Sequence, residues 1–293
     1  MRYPKTIVAF ARQRAEEITG RTHDQYLMYA KRFEQDMGDM EIKKLSRSHI
    51  IQWKDKMLNA GLCRNTVNYY LRGLRAIYNR AVMLELTKDN TPFKMVSCGN
   101  VKTAKRAITQ QQLRILAYME LEGSERRARD MFMLSFYLRG IAPIDLAKLK
   151  TQNVVMRNKK WYIRYKRSKT SQELCIEVVD EAKEIINKYL GEDDTLLDIP
   201  NSKSYWDRVN KSLKSVGSKC GVSFPLTMYC ARHTWATLSQ SIGTPIEVIS
   251  KGLGHDNIQT TAIYLAGIET PVIDKYNSKL ISQVLHKQRK PLL

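Results

Sequence analysis

The stretch from Leu226 to Ala266, LTMYCARHTWATLSQSIGTPIEVISKGLGHDNIQTTAIYLA, constrains the fold more than any other part of the chain. It reads as three compact helices with legible ends. Arg232 and His233 open the first, which should stop near Gly243. Thr244, Pro245 and Glu247 predict a capping box for the second, with proline at its first helical position. That helix ends at the Gly252–Gly254 turn, which delivers His255. Asp256 or Asn257 then caps a last short helix with Tyr264 near its end. An arginine, a histidine and a tyrosine from separate turns are thereby aimed at one place.

The rest of the chain is organised around helices too. Residues 1–20 predict a short leading helix. A second starts at Thr22, carries Tyr26, Tyr29, Phe33 and Met37 on one side, and stops at Gly38. Ser46 caps a third, with Ile50, Trp53 and Met57 inward. The fourth is the clearest: Val67, Tyr70, Leu71, Leu74, Ile77, Tyr78 and Ala81 recur at helical spacing. Opposite that stripe sit Arg64, Asn68, Arg72 and Arg75, a polar and basic face. A segment without helical periodicity follows, and helices are expected at Gln110–Glu120 and Ser124–Leu138. Strands are expected at Asn153–Met156, Trp161–Lys166 and Leu174–Val178, with helices around Ala182–Tyr189 and Ser202–Cys220 and a tail helix from Pro271 to His286. The fold class is therefore mainly α with a small antiparallel three-stranded sheet. It divides into a helical domain over residues 1–90, a linker over 91–105 and a second domain over 106–293.

Charge narrows the partner. A chain of 293 residues with a net charge of +20 points to a polyanion, and its lysines and arginines run along the whole length instead of gathering in a tail. That spread favours wrapping the partner over tethering it. The five cysteines include no CxxC pair, which indicates neither a disulfide framework nor a zinc finger and fits a cytoplasmic setting. Cys230, His233 and His255 are too few for a structural zinc site, and no metal or other cofactor is expected. No apolar run approaches membrane-spanning length, the first residues lack a signal-peptide core, and no membrane partner is expected.

Arg232-His233, then Leu253-Gly254-His255, then Tyr264 nine positions after that histidine, reproduce a known signature in order and spacing, with Thr260-Thr261 also in place. At these residues the chain resembles the tyrosine recombinase (phage integrase) family. The resemblance runs from about Thr22 to the end. It implies a helical, SAM-like core-binding domain followed by a catalytic domain, closing around duplex DNA as a C-shaped clamp. It makes the basic face of Arg64, Asn68, Arg72 and Arg75 a DNA-facing surface, joined by Lys169 and Arg232. It also implies synapsis of two DNA sites by a tetramer, with the tail helix packing on a neighbour, and leaves room for accessory DNA-bending proteins and a nucleoid location.

The residue types suit the chemistry. A phosphodiester repels nucleophiles and has a poor leaving group, so a protein must supply a nucleophile, cationic donors and an acid. By resemblance Tyr264 is the nucleophile, and its phosphotyrosyl bond stores the energy of the cleaved one. Arg232 grips the phosphate with its planar fork. His255 donates to the phosphate or orients the tyrosine. Lys169, in the turn between the second and third strands, matches the family's hairpin lysine, the general acid for the 5′ oxygen. Two positions depart. Tyr229 stands three residues before Arg232, where the family has histidine; a phenol can still donate. Gly140, Ile141 and Asp145 match the first box, but Ala142 holds its arginine's place and Arg139 is the nearest compensating cation. A subgroup from conjugative and mobilisable elements shares this departure and resembles the chain around Tyr137-Leu138-Arg139-Gly140.

The expected activity is therefore site-specific DNA recombination of integrase or invertase type. The rivals are a catalytically impaired DNA-binding member of the family, supported by Ala142 and Tyr229, and a type IB topoisomerase-like enzyme. A covalent protein–DNA adduct separates the first from both enzymes, and recombination of two-site plasmids separates the enzymes from each other.

Overall fold

The computed structural model describes residues 3–99, 101, 106–255, 257 and 261. The chain forms two compact units, divided between Thr103 and Ala104.

The first unit is a bundle of α1 (Ile7–Glu16), α2 (Arg21–Met37), α3 (Arg47–Asn59) and α4 (Arg64–Met83). Helix α3 starts where the sequence says it should. The Ser46 hydroxyl accepts from the His49 backbone N–H, and the His49 ring returns a bond to the Ser46 N–H, a reciprocal cap. The four apolar stripes meet in one core holding Phe10, Phe33, Trp53 and Tyr78, each such side chain stabilising by roughly 1.5–3 kcal/mol. Phe33 meets Trp53 edge-on at 5.0 Å, and the indole N–H donates to Asp36 at 3.0 Å.

The segment expected to be a linker begins inside this core. Phe93 and Val96 are buried in it. Asn90 is pinned by the Tyr78 hydroxyl at 2.6 Å and itself donates to the Leu45 carbonyl at 2.8 Å. Further on, the Asn68 amide donates to the Gly99 carbonyl at 2.7 Å and accepts from the Cys98 N–H at 2.9 Å. Asn65 makes the same pair of bonds to Val101. Two asparagines one helical turn apart thus tie residues 98, 99 and 101 to α4. Aperiodic sequence hid this, because the bonds reach across thirty residues or more.

The second unit contains α5 (Gln110–Tyr118), α6 (Gly123–Tyr137), a single turn α7 (Pro143–Leu146), β1 (Val154–Arg157), β2 (Lys160–Lys166), β3 (Glu173–Glu177), α8 (Asp180–Lys188), α9 (Lys203–Lys219), α10 (Met228–Ser241) and α11 (Ile246–Leu253). Helix α6 is central and packs against α8, α9 and α10. The antiparallel sheet has the order β1-β2-β3, pairing Ile163 with Ile176 and Tyr165 with Leu174. Those four residues face the core, and their neighbours alternate outward.

Two helix starts differ from the sequence reading. Helix α10 begins at Met228, a full turn before Arg232, because Asn210 of α9 caps it by accepting from the Met228 N–H at 2.9 Å. Pro245 is the N-cap of α11 and not its first residue, and no side chain caps it. The Thr244 N–H closes the end of α10 by donating to the Ser239 carbonyl at 3.0 Å. The expected helix at Tyr264 and the tail helix from Pro271 lie outside the described residues. Among the described residues no helix is long and apolar enough to cross a membrane, and no cluster of His, Cys, Asp and Glu could hold a metal ion.

Candidate active site

Arg232 sits on the buried side of α10 and is 6% exposed. Its guanidinium Nη1 donates to the Gly140 carbonyl at 3.0 Å, and Nη2 donates to the Leu253 carbonyl. Nη2 also lies 3.0 Å from Nε2 of His255. Two backbone carbonyls from separate elements therefore fix the plane of the fork. Gly140 makes this approach possible. Its φ is 73°, and a Cβ there would lie 2.5 Å from the Arg232 Cα. The turn at the end of α6 is closed by the Gly140 N–H donating to Ser135 at 2.7 Å, which leaves its own carbonyl for Arg232.

His255 is delivered by the left-handed Gly254, the C-cap of α11, whose φ is 62°. Its ring spans two partners: Nε2 faces Arg232, and Nδ1 is 2.8 Å from the Thr261 hydroxyl. A guanidinium has no acceptor, so Nε2 must accept and Nδ1 carries the proton. Burial, then Arg232, Arg167 and Lys169, push its pKa from 6.5 down to about 4. His255 is a neutral imidazole at physiological pH, set as an acceptor at Nε2.

Lys169 is exposed on the turn between β2 and β3. That turn is anchored at its base, with the Arg167 N–H on the Gln172 carbonyl and the Ser171 N–H on the Arg167 carbonyl, both at 2.9 Å. Asp145 of α7 is 4% exposed and accepts from the Ser168 N–H at 2.8 Å. The acidic residue of the first box therefore positions the lysine-bearing turn. Tyr229 is half exposed and stacks edge-on against His233 at 4.5 Å. His233 is itself pushed down to about 4 by burial, Arg106 and Arg232.

Arg139 is half-buried with φ 58°, in the turn just before Gly140. Glu177 of the sheet is held low chiefly by its bond to Lys160, and Tyr165 is raised by burial; the Arg139 charge is the smallest influence on each. Ala142 is the N-cap of α7 and carries no donor. Tyr264 lies outside the described residues. The structure thus brings together Arg232, His255 and the Lys169 turn. It adds Arg167, which sequence reading passed over: 8% exposed, it donates Nη1 to the Gly254 carbonyl. Nothing in the basic run Lys166-Arg167-Ser168-Lys169 marks one member as buried.

In the first unit, Arg64 and Arg72 are exposed on α4, as a DNA-facing surface requires. Two companions are not on it. Asn68 is 7% exposed, with its amide bonded to residues 98 and 99. Arg75 is half-buried, donating to the Phe93 carbonyl at 3.0 Å and lying 5.6 Å from that ring's centre. Both are drawn into holding the segment after α4, because it folds back over that end of the helix face.

Comparison with known proteins agrees with this geometry. The phage integrase family model matches residues 106–269, and the phage integrase SAM-like domain model matches residues 4–97. The chain belongs to the phage integrase family of tyrosine recombinases. It is 24% identical over 258 residues to a tyrosine recombinase of Pseudothermotoga lettingae, covering 83% of this chain and 85% of that one. It is 29% identical over 143 residues to tyrosine recombinase XerA of Saccharolobus solfataricus, covering 47% and 46%. Its fold is shared with the Tn1549 transposon integrase in complex with a circular intermediate DNA, at a TM-score of 0.71, 16% identity and coverage of 94% and 100%. A lambda integrase dimer bound to a COC′ core site gives a TM-score of 0.67 at 15% identity, covering 90% and 99%.

Proposed function

We propose that this site-specific DNA recombinase cleaves and rejoins duplex DNA through a 3′-phosphotyrosyl intermediate at Tyr264. The observation that carries this reading is the convergence of Arg232, His255 and the Lys169 turn, each held by backbone or buried polar partners. Attack of the Tyr264 hydroxyl on the scissile phosphorus forms the phosphotyrosyl bond and breaks the bond to the 5′ oxygen. The phenolic proton passes to His255, whose Nε2 exchanges the hydrogen bond from Arg232 for that proton as Arg232 turns to the phosphate. The 5′ oxygen takes a proton from Lys169. Arg232 stabilises charge on the non-bridging oxygens, where preorganised donors contribute most. Religation reverses each transfer and needs no external energy source.

The core-binding domain, residues 4–97, presents Arg64 and Arg72 to the phosphates, and both domains close on one duplex. Solved relatives of this fold are DNA complexes, which supports duplex DNA as the partner. Assembly of four protomers through the tail, accessory DNA-bending proteins and a cytoplasmic, nucleoid-associated location complete the proposal. The test uses a nicked duplex built on the sequence that the full chain selects from a randomised DNA library. A denaturing gel should show a covalent adduct, and a plasmid carrying two copies should recombine. An adduct with relaxation but no recombination would favour a topoisomerase-like enzyme. No adduct would favour a DNA-binding protein without catalysis.

A further inference from the structure

The turn between β2 and β3 carries two cations in different situations. Lys169 is exposed, whereas Arg167 is buried. An arginine stays charged at any physiological pH, so burying it without an anion is unfavourable. Among the described residues Arg167 forms no ion pair, and its Nε is buried with no hydrogen-bond partner. Its Nη1 is held by the Gly254 carbonyl, and its Cδ lies 2.8 Å from where a Cβ on Gly254 would stand.

The preceding carbonyl, that of Leu253, is held by Arg232. Two guanidiniums from distant parts of the chain thus grip successive carbonyls of the one turn that carries His255. Both act on the His255 ring, together with Lys169. Like charges brought this close repel unless an anion sits between them. Ala142 leaves the first box without its arginine, while Arg139 sits half-buried in the turn before Gly140 with φ 58°.

We propose that Arg167 supplies from the β2–β3 turn the second phosphate-binding guanidinium that the first box lacks, so that the scissile phosphodiester is held between Arg232 and Arg167. This rests on the proposed phosphotyrosyl chemistry and goes beyond it in naming the residue. It also gives Gly254 a function, since any side chain there would push Arg167 away. Arg167 is then a catalytic residue, with Asp145 positioning its turn through Ser168.

The test is single-turnover cleavage of the selected nicked duplex by the wild type, Arg167→Ala and Arg167→Gln. Glutamine keeps a polar side chain of intermediate length and removes the charge, and melting temperatures of both variants guard against one that merely fails to fold. Both should cleave about 100- to 1000-fold more slowly while binding uncleaved DNA within a few-fold of wild type. A neutral methylphosphonate at the scissile position removes the charge that Arg167 meets, so on that substrate the gap between wild type and Arg167→Gln should shrink to under about tenfold. Ala142→Arg added to Arg167→Gln should recover most of the lost rate. Wild-type cleavage by Arg167→Gln, or an equal defect on both substrates, overturns the assignment. An absent adduct in the wild type would instead overturn the phosphotyrosyl reading, and this inference with it.

Discussion

Replacing Gly140 by alanine tests how tightly the site is built. The added Cβ would lie 2.5 Å from the Arg232 Cα, 2.7 Å from its Cβ and 2.8 Å from its Cγ, so backbone must move by about 1 Å. The left-handed φ of 73° adds a second cost. Alanine there loses about 1–2 kcal/mol on conformation and about 1–3 kcal/mol on overpacking. In a unit of this size that lowers the melting temperature by on the order of 10 °C. The catalytic effect should be larger than the stability effect suggests, because a 1 Å displacement of a positioned group can cost about 100-fold in rate. Gly61→Ala is the control: its φ is 80°, and nothing lies within 4 Å of the added Cβ. Calorimetry and single-turnover cleavage of the selected nicked duplex, both well below the melting temperature, read the two effects. Gly61→Ala should melt slightly lower and cleave normally. Wild-type cleavage by Gly140→Ala would refute the claim that this carbonyl and this close approach set Arg232.

Two further outcomes follow from charge. His233 and His255 sit near pKa 4 in the folded chain, chiefly through burial, against an ordinary value of 6.5. Between those values the unfolded chain binds more protons, so stability is complete above pH 6.5 and is lost as pH falls towards 4. Melting temperatures of the DNA-free protein at fixed ionic strength should drop across that window, and His233→Gln should flatten the drop; a level wild-type profile contradicts the burial argument. If both domains neutralise phosphates on one duplex, six or more contacts give a slope of roughly −5 or steeper in log K against log salt. A slope near that of one or two contacts would rule out two-domain wrapping.

Locally encoded features were legible in the sequence, and those depending on distant partners were not. The Ser46 cap and the α4 stripe rest on neighbours within one or two turns, so spacing alone reveals them. Asn68 and Arg75 look identical in sequence whether they face solvent or hold the segment beyond α4. Only contacts eighteen to thirty-one residues away decide between these. The start of α10 was misplaced for the same reason, since its cap is Asn210. At the site, Arg232, His255 and Lys169 were legible because their spacing matches a family signature. Arg167 was not, because its burial is created by the Gly254 carbonyl 87 residues downstream.

The central claim is that Tyr264 is the nucleophile of a site organised by Arg232 and His255. Its most direct measurement is covalent adduct formation by Tyr264→Phe on the selected nicked duplex, beside the wild type, with binding to the intact duplex measured in parallel. Removing one hydroxyl should abolish the adduct while leaving binding nearly unchanged, because phosphate and base contacts elsewhere carry the affinity. An adduct that persists in Tyr264→Phe would place the attacking oxygen on another residue and contradict the account.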